Sequence, residues 1–292
     1  MNRVFPASGT PGAVFAMTGA VALSVLMSPT RLSFGQVDPP EAQPSGNDFV
    51  KVRLALEKTA LANRGDTNLA VIFDISPGWH LYWRNPGDSG LPPRVTFTPI
   101  EGVTFGDPQW PAPKRLVEGE TLVDYIHERE LVLIIPVTLD DRYKGGDSLP
   151  IAAKLDWLVC RERCLQGSQN ITTSFPIDDS AKPSTDAKRF GAARARRPRP
   201  VKDSDHVTVR WNGPELSVRA AGATSVAFFP YENDESVYPA DMVRNGAAGS
   251  DTLRLPYDKD VARLRRVAGV LSITRKGVET FVEISIAPAK PS

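Results

Sequence analysis

The sequence predicts an all-β protein made of a β-sandwich followed by a second, smaller β domain, and three observations carry that expectation. Apolar residues alternate with polar ones in short runs, as where Val50, Val52 and Leu54 are interleaved with Lys51 and Arg53. Proline is abundant, 26 of 292 residues, and clusters of Asn, Pro, Gly and Asp separate the runs. Short strands at this spacing are the pattern of a sandwich, not of a helical bundle. The length allows about two domains. Basic and acidic residues nearly balance, 35 against 34, so no general attraction to nucleic acid is implied.

Residues 1–35 read as a signal peptide. Arg3 is the positive start, Gly12–Met27 is a sixteen-residue apolar run, and Ser33-Phe34-Gly35 supplies small residues for cleavage. The mature chain is expected to begin near Gln36 and to be exported. An uncleaved membrane anchor is the competing reading, but the run is short for a span. Residues 36–48 are Pro-rich and polar, a flexible lead-in.

The first domain is expected over residues 49–177. Its strands are Phe49–Leu54, Leu69–Ile75, Trp79–Trp83, Arg94–Thr98, Gly102–Phe105, the apolar Glu130–Thr138, Ile151–Cys160 and Asn170–Ile177. Asn85–Gly90 is a turn cluster. Residues 178–205 form a basic linker: Lys188–Lys202 holds seven basic residues and no acid, with a short helix around Ala187–Arg196. Such a run is ordinarily a solvated linker; the sharper alternative is a weak contact with an anionic membrane or acidic partner. Residues 206–288 repeat the β pattern, with strands at Val207–Trp211, Ser225–Pro230, Thr252–Leu255, Ala268–Thr274 and Glu279–Ile286.

The chain contains two cysteines, Cys160 and Cys164, and export would let them pair with each other. A disulfide needs Cα atoms within roughly 4.4–6.8 Å. Four extended residues span roughly 13 Å, so the chain must reverse between the cysteines. The Val and Trp residues leading into Cys160 favour a hairpin with its turn at Arg161–Arg163 over a helical turn. The closed loop is tiny, which makes the bond a weak staple. Arg161 and Arg163 flank the pair and would favour the thiolate, the attacking species, while Glu162 opposes them. From these residues alone both a redox-active pair and a structural hairpin bridge stay open.

The fifteen residues Trp79–Pro93 (WHLYWRNPGDSGLPP) resemble a stretch of the periplasmic N-terminal domains of DsbD-type thiol:disulfide interchange proteins, nearest to the branch of the copper-sensitivity suppressor ScsB. Trp110–Pro113, Tyr125–Thr138 and Trp157–Cys160 with Cys164 follow in the family's order, and Phe228–Pro230 and Gly269–Leu271 resemble that branch's second half. The resemblance implies an immunoglobulin-like β-sandwich in the periplasm. It implies that Cys160 and Cys164 are the redox pair of a protein-disulfide reductase-type electron carrier. The second cysteine would form mixed disulfides with partners. The expected partners are a membrane-embedded thiol reductant of the DsbD or CcdA kind, on a separate chain, and periplasmic thiol oxidoreductase clients. No cofactor is expected. The cysteine spacing is narrower than in the best-known DsbD members. The family also shields its pair with a loop; the matching stretch is Val117–Tyr125, with Tyr125 as the aromatic cover.

Other signals carry less. Gly87-Asp88-Ser89-Gly90 looks like a protease nucleophile motif, but His80 lies too close in sequence and a turn explains it better. His80 and His127 read as structural histidines. Two thiolates near a histidine would suit Cu(I), which makes a copper(I)-binding module in copper tolerance the alternative function. A non-catalytic interaction module with a structural bridge is the third. Trp79, Trp83, Trp110 and Trp157 read as core. Asn170-Ile171-Thr172 fits a glycosylation sequon, relevant only in a eukaryotic secretory pathway.

Overall fold

In the computed structural model, residues 44–231, 239, 241–257 and 266–287 are described. The expected signal peptide and most of the lead-in lie outside them. Ten strands form the first half: β1 (Val50–Leu56), β2 (Gly65–Ile75), β3 (His80–Gly87), β4 (Arg94–Phe97), β5 (Val103–Phe105), β6 (Lys114–Glu118), β7 (Leu122–Glu128), β8 (Glu130–Leu139), β9 (Ser148–Cys160) and β10 (Cys164–Pro176). They build two facing sheets. One has the order β1-β2-β8-β5; the other runs β10-β9-β3-β7-β6, with β4 also pairing β9.

The period-two pattern places the core between the sheets. Along β9, Leu149, Ile151, Ala153, Leu155, Trp157 and Val159 are buried and meet Leu69, Val71 and Phe73 of β2. The residues between them face outward. Strands β2 and β8 are apolar on both faces, and the reason is the helix α1 (Ala187–Ala195). Its Phe190 and Ala193 pack on the outer side of Ala55, Ala70, Ile72, Val132 and Ile134. A sheet covered on both faces reads in sequence as an unbroken apolar run.

The stretch expected as a solvated basic linker is therefore docked. The helix does form where the sequence suggested, but Phe190 is fully buried and four of the seven cations of Lys188–Lys202 have acidic partners. Arg189 pairs with Asp74 and Glu130, Arg194 with Glu57, Arg196 with Glu279 and Arg199 with Asp205. Arg53 meets Asp186 just before the helix. More than half of the charge run is thus paired within the fold.

Eight further strands follow among the described residues: β11 (Arg199–Pro200), β12 (Val207–Asn212), β13 (Glu215–Ala220), β14 (Ser225–Pro230), β15 (Ala247–Ala248), β16 (Thr252–Pro256), β17 (Val267–Arg275) and β18 (Val278–Ile286), with a short helix α2 (Met242–Asn245) before β15. They form a five-stranded sheet, β11-β18-β17-β14-β15, and a three-stranded sheet, β12-β13-β16. The core of this half does not close on itself. Trp83, Ala112, Val123 and Tyr125 from the first half belong to the same buried cluster as Phe228, Phe229, Val270 and Leu271. Polar contacts reinforce the junction: Asn85 Nδ2 donates to the Pro230 carbonyl at 2.7 Å, and Arg115 donates to the carbonyls of Met242 and Val243. No helix among the described residues is long and apolar enough to cross a membrane.

Candidate functional site

Strands β9 and β10 are a hairpin in continuous register from Ser148↔Pro176 to Cys160↔Cys164. The cysteines are the last pair before the turn, disulfide-bonded, with Cα atoms 4.1 Å apart. The turn is the predicted Arg161–Arg163, closed by the Arg161 N–H donating to the Arg163 carbonyl. Directly opposed residues of an antiparallel ladder are the ones whose side chains come close enough to bond across a hairpin.

The two sulfur-bearing residues differ in environment. Cys160 is 3% exposed and packs against Tyr82 and Ile126, with Leu116 and Leu158 beside them. Cys164 is exposed. One end of the bond is thus a protected sulfur and the other is open to a partner. Arg161 and Arg163 are both exposed; Arg161 Nη2 lies 3.2 Å from Glu162 Oε1, so its charge is shared with a carboxylate.

The aromatic beside the disulfide is Tyr82, not Tyr125. The Tyr82 hydroxyl lies 3.9 Å from Cys164 Sγ and 3.4 Å from Ser89 Oγ. Tyr125 is fully buried at the junction with the second half, edge-on to Trp83 and Phe229. The physical reason is strand parity. Ile126 is the register partner of Tyr82 and shares its cluster with Cys160, so Tyr125, one residue away, points to the opposite face. The matching stretch Val117–Tyr125 is the tip of the β6–β7 hairpin, and what that hairpin places against Cys160 is Leu116 and Ile126.

Ser89 and Asp124 are site residues that sequence reasoning missed. Asp124 is 2% exposed; its carboxylate accepts from the Ser89 backbone N–H at 2.8 Å and from Ser89 Oγ at 2.6 Å. Gly90 follows with φ +72°, and a Cβ there would lie 2.1 Å from Cζ of Tyr82. Only glycine lets the turn pass over that ring. The signal was present in Gly87–Gly90, which reads as a turn until its tertiary partner is known.

His80 pairs in register with Cys160 and stands edge-on to Tyr82 at 5.3 Å. Burial lowers its pKa, and its Nε2 has no hydrogen-bond partner among the described residues. His127 lies apart from the sulfurs, stacked on Trp110. Burial is the main cause that drives its pKa down to about 3, helped by Arg196 and Lys114. The sign follows: below its ordinary pKa the unfolded chain binds a proton that the folded chain refuses, so stability falls as pH drops from about 6.5 toward 3. At pH 5.5 this one group should cost on the order of 1 kcal/mol. His127→Leu is expected to remove that part of the pH dependence, read as a smaller shift of the urea midpoint between pH 7 and 5.5. An unchanged shift would show that His127 does not carry it. Among the described residues no cluster of three or more His, Cys, Asp or Glu side chains could hold a metal ion.

Comparisons place this geometry. Residues 46–176 match the family model described as thiol:disulfide interchange protein DsbD, N-terminal. The N-terminal periplasmic domain of ScsB from Proteus mirabilis is similar in structure at TM-score 0.55 and 18% identity, over 85% of this chain and 97% of that one. The DsbD N-terminal domain of Neisseria meningitidis in its reduced form aligns at TM-score 0.27 and 17% identity, over 47% of this chain and 93% of that one. The complex of that organism's DsbD and PilB N-terminal domains gives TM-score 0.24 and 15% identity, over 45% and 89%. No curated protein matches the sequence. The fold class expected from sequence, all-β with an immunoglobulin-like β-sandwich, is the fold observed.

Proposed function

We propose that the chain relays electrons from a membrane-embedded thiol reductant on a separate chain to periplasmic thiol proteins through Cys160 and Cys164, a reading supported by the match of residues 46–176 to the DsbD N-terminal family model. The observation that carries the reading is the asymmetric pair: an exposed Cys164 bonded to a buried Cys160 at a hairpin end, in a chain with no other cysteine. Residues 49–177 are the redox domain in this proposal. Residues 178–205 and 206–288 buttress it, and residues 1–35 direct export to the periplasm.

The chemistry balances as two exchanges. A reductant thiolate attacks Cys164 Sγ, the Cys160–Cys164 bond breaks, and Cys160 leaves as thiolate. A second reductant thiolate then releases Cys164, so the reductant becomes a disulfide and two electrons rest on the pair. In the reverse sense the Cys164 thiolate attacks a client disulfide and forms a mixed disulfide; one client sulfur leaves as thiolate. Cys160 thiolate attacks Cys164 Sγ, the hairpin bond re-forms, and the client departs as a dithiol once its sulfurs take up two protons. Burial of Cys160 confines the intermolecular bond to Cys164. Arg161 and Arg163 add positive potential near the exposed sulfur, which favours its thiolate.

The test is the reduction potential of the pair, measured by equilibration with glutathione buffers. A structural bridge sits below about −300 mV, and an exchanging one above it. A value above that line is expected; one well below it would assign the bond to structure.

A further inference from the structure

We infer that Tyr82 is the hydrogen-bond donor to the Cys164 thiolate in the reduced protein, and that Ser89 and Asp124 are positioning residues that hold its hydroxyl ready. The inference rests on the exchange reading above and deepens it.

The geometry assigns each proton. A carboxylate only accepts, so the single hydroxyl proton of Ser89, 2.6 Å from Asp124 Oδ2, belongs to that bond. Ser89 Oγ is then free to accept, and the Tyr82 O–H points to it across 3.4 Å. The disulfide sulfur, 3.9 Å from the same hydroxyl, is a weak acceptor. Reduction changes that balance. Breaking the sulfur–sulfur bond and ionising Cys164 puts a full negative charge on Sγ, and bonds to an ionised acceptor are roughly twice as strong as neutral ones. Rotation about the Tyr82 C–O bond and a small shift of the ring transfer the donor from Ser89 to sulfur.

The ring is held for this. Tyr82 is 2% exposed, has His80 edge-on beside it, and lies under Gly90 where no side chain fits. Burial raises the phenol pKa, which keeps its proton available at neutral pH. The charged and titratable groups around the pair are Glu118 of β6, Asp124 of β7, His80 of β3 and Arg161, Glu162 and Arg163 of the turn. The two carboxylates on β6 and β7 oppose a thiolate, so a local donor has a cost to offset that the exposed, partly paired arginines do not meet alone.

The test uses the exported chain, with Cys160→Ala for the titration. Tyr82→Phe keeps the ring and removes the donor. It should raise the Cys164 thiol pKa by about one unit, read from ultraviolet thiolate absorbance against pH. The thiolate fraction at neutral pH then falls about tenfold, but a more basic thiolate is more nucleophilic, so attack on glutathione disulfide should slow only about three- to fourfold. With both cysteines present, Tyr82→Phe should shift the glutathione equilibrium toward the disulfide. Ser89→Ala removes the acceptor used only in the oxidised state and should shift it toward the dithiol. A purely structural role would move neither the thiol pKa nor the equilibria in opposite senses. An unchanged pKa in Tyr82→Phe, or equal shifts in both variants, overturns the inference while leaving exchange itself intact. A wild-type pair that glutathione cannot reduce would instead overturn the exchange reading.

Discussion

Cys160→Ala is expected to form a stable mixed disulfide through Cys164, and Cys164→Ala to exchange about a hundredfold more slowly. The argument is access. Cys164 lies exposed at the hairpin end, while Cys160 is 3% exposed beneath Tyr82 and Ile126. A probe disulfide can reach Cys160 only after the surrounding cluster opens. If that opening costs even about 3 kcal/mol, the buried thiol reacts about a hundredfold more slowly. Incubation of each variant with glutathione disulfide, followed by intact-mass measurement, separates the two. The Cys160→Ala protein should gain one glutathione and keep it, since no second thiol is present to expel it. The Cys164→Ala protein should remain unmodified on the same timescale. Both variants lose the same bridge, worth about 2 kcal/mol for so short a loop, so a difference in stability cannot mimic the difference in reactivity. Equal labelling of the two would remove the asymmetry on which the exchange reading stands.

The hairpin was legible because covalent reach leaves little choice. Two cysteines with three residues between them cannot bond along an extended strand, and the Val and Trp residues leading into Cys160 favour a reversal at Arg161–Arg163 over a helical turn; the chain does reverse there. The strands were legible where one face is wet, as along β9 with its alternating burial. Three features needed the tertiary structure. The cations of Lys188–Lys202 looked solvated because their partners, Glu57, Asp74, Glu130 and Glu279, are distant in sequence. Tyr125 and Tyr82 were indistinguishable as covers for the pair, since a shift of one residue in strand parity decides which aromatic faces the sulfurs. Ser89 was hidden inside a turn cluster, and its role depends on Asp124, 35 residues further on.

Trp83→Ala is expected to destabilise the protein by about 3–5 kcal/mol, the range for emptying a large aromatic site in a core. That is a large share of the roughly 5–15 kcal/mol typical of a folded domain. Trp83 is 1% exposed and sits where the halves meet, with Tyr125 and Phe229 edge-on and Tyr231 tilted against it. Three consecutive residues of β3 serve three clusters: Leu81 the sandwich core, Tyr82 the disulfide cluster, Trp83 the junction with the second half. A cavity at Trp83 should therefore loosen the second half and the strand that positions Tyr82 together. In urea, tryptophan fluorescence and far-ultraviolet circular dichroism should report one transition moved to lower denaturant. Exchange of the Cys160–Cys164 pair with glutathione should change in the same variant. Trp83→Phe should cost much less, because the indole Nε1 has no hydrogen-bond partner among the described residues and the smaller ring keeps most of the packing. Two separate transitions, with the first-half midpoint and the exchange rate both unmoved in Trp83→Ala, would mean that the halves are independent and that the second does not support the redox site.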